Sequence, residues 1–356
     1  MKLGIGVDIW NQARLDPSLA REELARVQLA ERLGYDSVWS AEIYGVDAIT
    51  PLAWIAAHTR HIRLGTAVCQ VAARPAVTTA MQFGTLEALA GPGRAICGLG
   101  LSGPQIVEGW YGQPWGKPNA LLRDYVSIIK KVFARQEPVT HGGPQISLPY
   151  AGDGALGVGK PLKSILHMNP DIPVFLATGG PSNTALMAEL ADGWLPLGYT
   201  PDSAHLYTES IQRGLDRAGR TWDDIEIQAG AKVSITDDVQ GAIDEAKPQF
   251  AFLVGGYGTR EHNFHRDAMV RRGFGEAAER IQELFMAGRR DEAVAAVPDE
   301  YIDDGALIGS RPRIKERFAR WCDTKATGLT IRADTEEELA YIAELAEARP
   351  RTDRTP

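Results

Sequence analysis

The feature that most restricts this chain is a rhythm. Short apolar runs alternate with amphipathic stretches along most of its 356 residues. The apolar runs are Lys2–Val7, Asp36–Ser40, Ile62–Val68, Gly93–Gly100, Ile172–Thr178, Gly193–Gly198, Ile225–Thr236 and Leu329–Ala333. Most are apolar at successive positions, as strands buried on both faces are. Between them, apolar residues recur at helical spacing. Leu24, Val27, Ala30 and Leu33 make one such stripe, and Gly34 follows it where a helix takes its C-terminal glycine. Further helices are predicted near 50–58, 76–90, 119–134, 182–190, 201–218 and 335–348. About eight strand–helix units predict a parallel (β/α)8 barrel of TIM type with insertions, with a doubly wound open sheet as runner-up.

Two stretches break the rhythm. About residues 136–171, "EPVTHGGPQISLP" reads as a β-hairpin and "AGDGALGVGKPLKS" as a glycine-rich excursion. About residues 238–300 the pattern is helical throughout. The chain is therefore read as a single barrel domain, 1–356, carrying two insertions, with a polar tail at 349–356 that frays.

Composition removes several function classes. The net charge is −8 and is spread along the chain, which argues against a nucleic-acid partner, since phosphate binding wants clustered Lys and Arg. Cys69, Cys97 and Cys322 form no CxxC pair, and the seven histidines show no ligand spacing, so no metal is expected. His262 and His265, in the helical insertion with charged neighbours, are expected at the surface. No run approaches 18 apolar residues and "MKLGIGVDIW" reads as a strand, so neither a membrane span nor a leader is predicted, and the cytoplasm is the default.

In a barrel of this kind chemistry sits on the loops after the strands. The second strand runs into Glu42 and Tyr44. Glu42 can hydrogen-bond a polar cofactor or substrate or move a proton, or it can be an ordinary solvated carboxylate. After the third strand, Cys69 reads as a small buried apolar residue. After the fourth comes "GLGLSGPQIVEGWYG", in which Gly103 allows close backbone approach and Ser102 offers a hydroxyl. The chain then enters Pro104 instead of a good helix start, so a dinucleotide glycine motif is matched only loosely. Trp110 and Tyr111 suit either a flat-ring pocket or core packing. The fifth strand ends in "ATGGPSNTALMAELADG". Gly179 and Gly180 free backbone N–H groups, Pro181 suits a first helical turn, and Ser182 and Asn183 are capping-type residues. A helix N-terminus of this kind attracts phosphate, although a plain strand-to-helix turn uses similar residues.

Together "GYDSVWSAE", "IRLGTAV", "RPAV", "GLGLSGPQIVEGWYGQPW", "GKPLKS", "IPVFLATGGPSNTALMAELADGWLP" and "ALIGSRPRIKERF" resemble the luciferase-like flavin and deazaflavin oxidoreductases. They follow the family's order and cover nearly the whole chain. "SGPQIVEGWYG" and "GKPLKS" resemble most the subgroup that uses the deazaflavin coenzyme F420. The resemblance implies an enzyme passing a hydride between F420 and a small organic substrate. The alternatives are an FMN-dependent monooxygenase using reduced flavin and oxygen, and a non-catalytic flavin- or deazaflavin-binding protein. It also implies a homodimer. The cofactor phosphate would lie on Thr178, Gly179, Gly180, Ser182 and Asn183. A bulge at Ala67-Val68, with a non-prolyl cis peptide and Gln70 just beyond, would back the ring, and Ser102 and Gly103 would touch it. Many relatives carry Asp-His after the second strand, where the His donates a proton. Here the pair is Glu42-Ile43, so Glu42 keeps the hydrogen bond to the ring, and Glu42, Tyr44 or the substrate itself handles the proton. Pro104 stands where sugar-phosphate dehydrogenases of the family place a catalytic Glu, which argues against sugar-phosphate oxidation.

Overall fold

The computed structural model describes residues 1–7 and 17–350. Most of the expected polar tail lies outside the described residues. Eight parallel strands close a ring: β1 (Lys2–Gly6), β2 (Ser37–Ser40), β3 (Arg63–Thr66), β4 (Ala95–Gly100), β5 (Val174–Thr178), β6 (Gly193–Pro196), β7 (Glu226–Ile235) and β8 (Gly328–Arg332). Each pairs with the next in sequence, and β8 pairs back with β1. The helices are α1 (Pro17–Arg32), α2 (Thr50–Ala56), α3 (Ala76–Ala90), α4 (Pro104–Gly109), α5 (Pro118–Ala134), α6 (Pro181–Leu190), α7 (His205–Ala218), α8 (Val239–Gly255), α9 (Phe264–Arg271), α10 (Gly275–Met286), α11 (Arg290–Ala295), α12 (Asp299–Asp303), α13 (Arg311–Cys322) and α14 (Glu336–Leu345). The predicted TIM-type barrel is what the chain forms, and the open-sheet runner-up falls because β8 returns to β1.

The main core lies between the strand ring and the helices, where Ile5, Val38, Leu64, Leu99, Val174 and Ile331 meet Phe83, Ile129 and Leu215. Inside the ring a second set fills the lumen: Trp39, Ile96 and Phe175, with Leu195 against them. Gly65 makes this possible, because a Cβ there would stand 2.4 Å from the Trp39 ring. The lumen is thus a packed floor, and any site must lie above it at the C-terminal strand ends.

The first insertion contains the predicted hairpin, with His141–Gly142 antiparallel to Ser147–Leu148. The second holds α8 to α12 around their own core of Ile243, Val254, Met269, Ile281, Leu284 and Ile302. It is a set of short helices separated by turns, and a short strand, Leu307–Gly309, follows it to pair with the end of β7. Sequence reading missed that strand because three residues carry no periodicity.

Pro104 corrects one expectation. It is the first residue of α4, with Gly103 before it in extended conformation. Proline is well suited to that position, since its missing N–H has no partner there in any helix.

The seal at the opposite end of the barrel is electrostatic. Arg63 is buried, donating Nε to Asp36 at 2.8 Å and its terminal nitrogens to Glu226 at 3.1 and 2.9 Å.

Candidate active site at the carboxyl ends of the strands

At the end of β3 the chain bulges outward. The Ala67-Val68 peptide is cis, and Cys69–Gln70 then rejoins the sheet beside β4. Ala67 is exposed and Val68 partly so, although the strand before them is buried, so this step forms one wall of the mouth. Its position is held by hydrogen bonds to the β2 side. Ala67 N donates to Ser40 O at 2.7 Å, and Glu42 N donates to Val68 O at 3.3 Å.

Glu42 is not a solvated loop carboxylate. It is buried, and its two oxygens receive four donors: Arg74 Nη1 at 2.7 Å, Arg74 Nη2 at 2.8 Å, Gln70 N at 2.7 Å and Ala48 N at 3.1 Å. A carboxylate has about four lone-pair positions, so this one has none left over. Burial pushes its pKa up, but the Arg74 guanidinium and the two amides outweigh that and hold it below the usual range. The residue that sequence reading missed is Arg74. An "RP" pair before a helix gives no sign of its carboxylate partner 32 positions earlier. Arg74 also contacts Cys69 Sγ, whose thiol is pushed well up by burial and remains a buried neutral group, as predicted.

Gln70 is buried too. Its Nε2 donates to the carbonyls of Glu42 at 2.8 Å and Ile43 at 3.3 Å, while its Oε1 is buried without a partner. After β4, Gly103 is buried, and Ser102 has a φ of 58°, an uncommon backbone for a residue with a side chain. Gln105 on α4 donates Nε2 to Tyr257 O at 2.8 Å, which ties the β4 end to the helical insertion.

The insertion adds Tyr257 and Phe264 to the rings carried after β2 and β4. Tyr44 packs edge-on to Trp110 with centroids 6.4 Å apart, and Trp115 lies 6.4 Å from Phe264. Tyr44, Trp110 and Phe264 are all substantially exposed. Tyr257 meets His265 at 5.3 Å, ring edge to ring face. His265 corrects a second expectation: it is a shielded side chain, and loss of solvent pulls its pKa down to about 4, so it is neutral at physiological pH.

At the end of β5 the glycine turn leads into α6. Gly180 is the residue before the helix, and no side chain caps it. Ser182 and Asn183 therefore lie inside the first turn, and the first N–H groups of α6 keep no side-chain partner. Asn183 Oδ1 is buried without a partner. Thr178 is buried, its hydroxyl 3.3 Å from that of Thr184 on α6. Over the turn stands Arg271, which no sequence signal marked. Its Nη2 is 3.4 Å from where a Cβ on Gly179 would be, and its Nε is buried without a partner.

Sequence and structure comparisons agree on the family and the fold. The chain belongs to the luciferase-like monooxygenase family, whose pattern matches residues 1–328. Within that family it is 43% identical to a protein of Mycobacterium tuberculosis assigned to the coenzyme F420-dependent oxidoreductases, over 97% of this chain and 99% of the relative. It is 31% identical to 5,10-methylenetetrahydromethanopterin reductase of Methanolobus tindarius, over 68% and 69% of the two chains. Among solved structures, the F420-dependent tetrahydromethanopterin reductase of Methanopyrus kandleri superposes with a TM-score of 0.77 at 22% identity, covering 98% of this chain and 99% of that one. An FMN-bound type II Baeyer–Villiger monooxygenase component of Pseudomonas putida gives 0.68 at 17% identity, covering 98% of each. No metal-ligating cluster of three or more His, Cys, Asp or Glu occurs among the described residues, and no helix among them is long and apolar enough to cross a membrane.

Proposed function

We propose that this chain is an F420-dependent oxidoreductase that passes a hydride between the deazaflavin and a small organic substrate. The observation that carries the reading is the uncapped N-terminus of α6 behind Gly179-Gly180, in a chain 43% identical along its length to an F420-assigned relative. The residues fit such a cofactor. The free N–H groups from Gly179 to Asn183 suit a phosphate, and the unpartnered Gln70 Oε1 suits a ring N–H. Ala67 and Val68 would back the ring, with Ser102 and Gly103 on its other side. When bound, the cofactor supplies a carbon that accepts or releases a hydride.

The chain's own groups position and protect. Glu42 acts through Gln70, whose amide N–H it holds, and not by bonding the ring itself. With that carboxylate committed to Arg74, Tyr44 is the residue left at the mouth to hold the substrate's proton. Trp110, Trp115 and Phe264 exclude water from the transfer. We further propose one barrel domain with two insertions, a cytoplasmic location, and a homodimer that covers the exposed Leu156, Val158, Leu162 and Ile165.

The deciding experiment is titration of the apo-protein with F420 and, separately, FMN, followed by fluorescence. Tight F420 and weak FMN binding supports hydride transfer. The reverse overturns it in favour of the flavin monooxygenase reading, to which the FMN-bound structural neighbour lends weight. Retention of F420 without turnover on any substrate panel identifies a binding protein instead.

A further inference from the structure

We propose that Arg271, on the helical insertion, is the cation that closes the glycine turn over the cofactor's phosphate. The insertion then selects the phosphate-bearing cofactor over the bare ring system. The inference rests on the cofactor reading above.

Three independent features converge on this guanidinium. Its position is fixed from behind: the Tyr207 hydroxyl donates to Leu197 O at 2.7 Å and so is left to accept from Arg271. Its front reaches the turn, with Nη2 within 3.4 Å of the Gly179 Cβ position. Lastly, its charge has no counter-charge among the described residues. No carboxylate among the described residues pairs with Arg271, whereas its neighbours are committed. Arg266 pairs with Asp267 at 2.8 Å; Arg272 pairs with Asp304 at 3.2 Å and lies 4.1 Å over the Tyr301 ring.

A buried N–H of a cation without a partner is costly to keep, and a ligand at the turn would complete the one on Arg271. The ligand must be an anion, because the opposite wall is a helix N-terminus with free N–H groups. Asn183 fits the same demand. Its buried oxygen lacks a donor, and exchange of the amide ends turns an N–H toward the turn in its place. A tetrahedral oxyanion held between α6 and α9 would meet all these groups at once. It would also pin the insertion to the barrel, since α9 has no other ionic link to β5.

The test compares full-length wild type with Arg271→Gln and Arg271→Lys. Each is titrated with F420 and with the phosphate-free deazaflavin riboside, and with FMN and riboflavin, at low and high salt. Far-UV circular dichroism and melting temperature check the fold. The expected result is a roughly 10- to 100-fold loss of affinity for the phosphate-bearing forms in Arg271→Gln. The phosphate-free forms should bind within about twofold of wild type, and Arg271→Lys should keep much of the affinity because it keeps the charge. The salt dependence of binding should also weaken in Arg271→Gln. Equal losses for both forms would make Arg271 a packing residue and overturn the inference. So would no loss for either. Wild type that binds ring systems without preferring the phosphate overturns it while sparing the cofactor reading. Wild type that binds none of the four overturns both.

Discussion

Arg74 sets Nη1 2.7 Å from one oxygen of Glu42 and Nη2 2.8 Å from the other, a two-pronged ion pair sealed between the ends of the second and third strands. Their side chains are 13% and 5% exposed, so little water screens them. Gln70 and Ala48 complete the carboxylate's shell, which makes the pair a brace for the bulge at Ala67-Val68. Glu42→Gln should therefore cost about 3 kcal/mol or more, because it leaves a buried guanidinium uncompensated. A double change to Glu42→Met and Arg74→Met should recover part of that loss. It should not recover all, since the Gln70 and Ala48 amides stay unpaired. Urea unfolding of the three variants measures this. A Glu42→Gln protein as stable as wild type would dismiss the brace.

Acid should dissolve the same brace. The folded-state pKa of Glu42 is held below its ordinary 4.5. Its contribution is thus fully present above that value and is lost as pH falls through the lowered folded value. His265 acts in the same direction at higher pH. Its pKa drops from 6.5 to about 4 on folding, so the unfolded chain binds the extra proton between those values and stability falls as pH is lowered across them. His265→Gln should flatten that part of the stability–pH curve by at most about 3 kcal/mol. Parallel curves for wild type and variant would show that the ring is solvated.

Gly180 offers a clean electrostatic probe. Its φ of −84° is open to any residue, and an added Cβ would meet Asn183 Oδ1 no closer than 3.4 Å. Gly180→Ala should fold and bind cofactor with little change. Gly180→Asp should fold as well but weaken binding at least 10-fold, because it sets a carboxylate against a phosphate. Fluorescence titration checks both, and equal affinities for the two variants would separate this turn from the phosphate.

Arg63 tests the division of labour between the two ends of the barrel. Arg63→Met removes the guanidinium that Asp36 and Glu226 share, while Lys2 still reaches Glu226 at 2.9 Å, and should cost roughly 3 kcal/mol. Cofactor affinity of the folded fraction should stay unchanged. A matching loss of affinity would mean that the two ends are coupled.

Tyr44 should betray itself in rate alone. It is 53% exposed and packs edge-on to Trp110, and the phenylalanine keeps the ring, so Tyr44→Phe should leave stability within about 0.5 kcal/mol. If Tyr44 holds the substrate's proton, turnover should fall roughly 100-fold or more with cofactor affinity intact. Unaltered turnover would assign the proton elsewhere.

What the sequence determined by itself was the order of elements and the loops on which a candidate site would lie. Local periodicity shows which stretches form strands and helices, and eight buried strands have few ways to pair, so the closed barrel and its carboxyl-end mouth were legible. The glycine turn at Gly179-Gly180 was legible for a similar reason: backbone freedom and helix start lie within a few adjacent residues. Tertiary structure decided the partners. Arg74 meets Glu42 across 32 positions, Arg271 reaches Gly179 across 92, and His265 loses water where it packs against Tyr257 and its surroundings. Charge pairing and desolvation depend on distances through space, and no spacing along the chain encodes those.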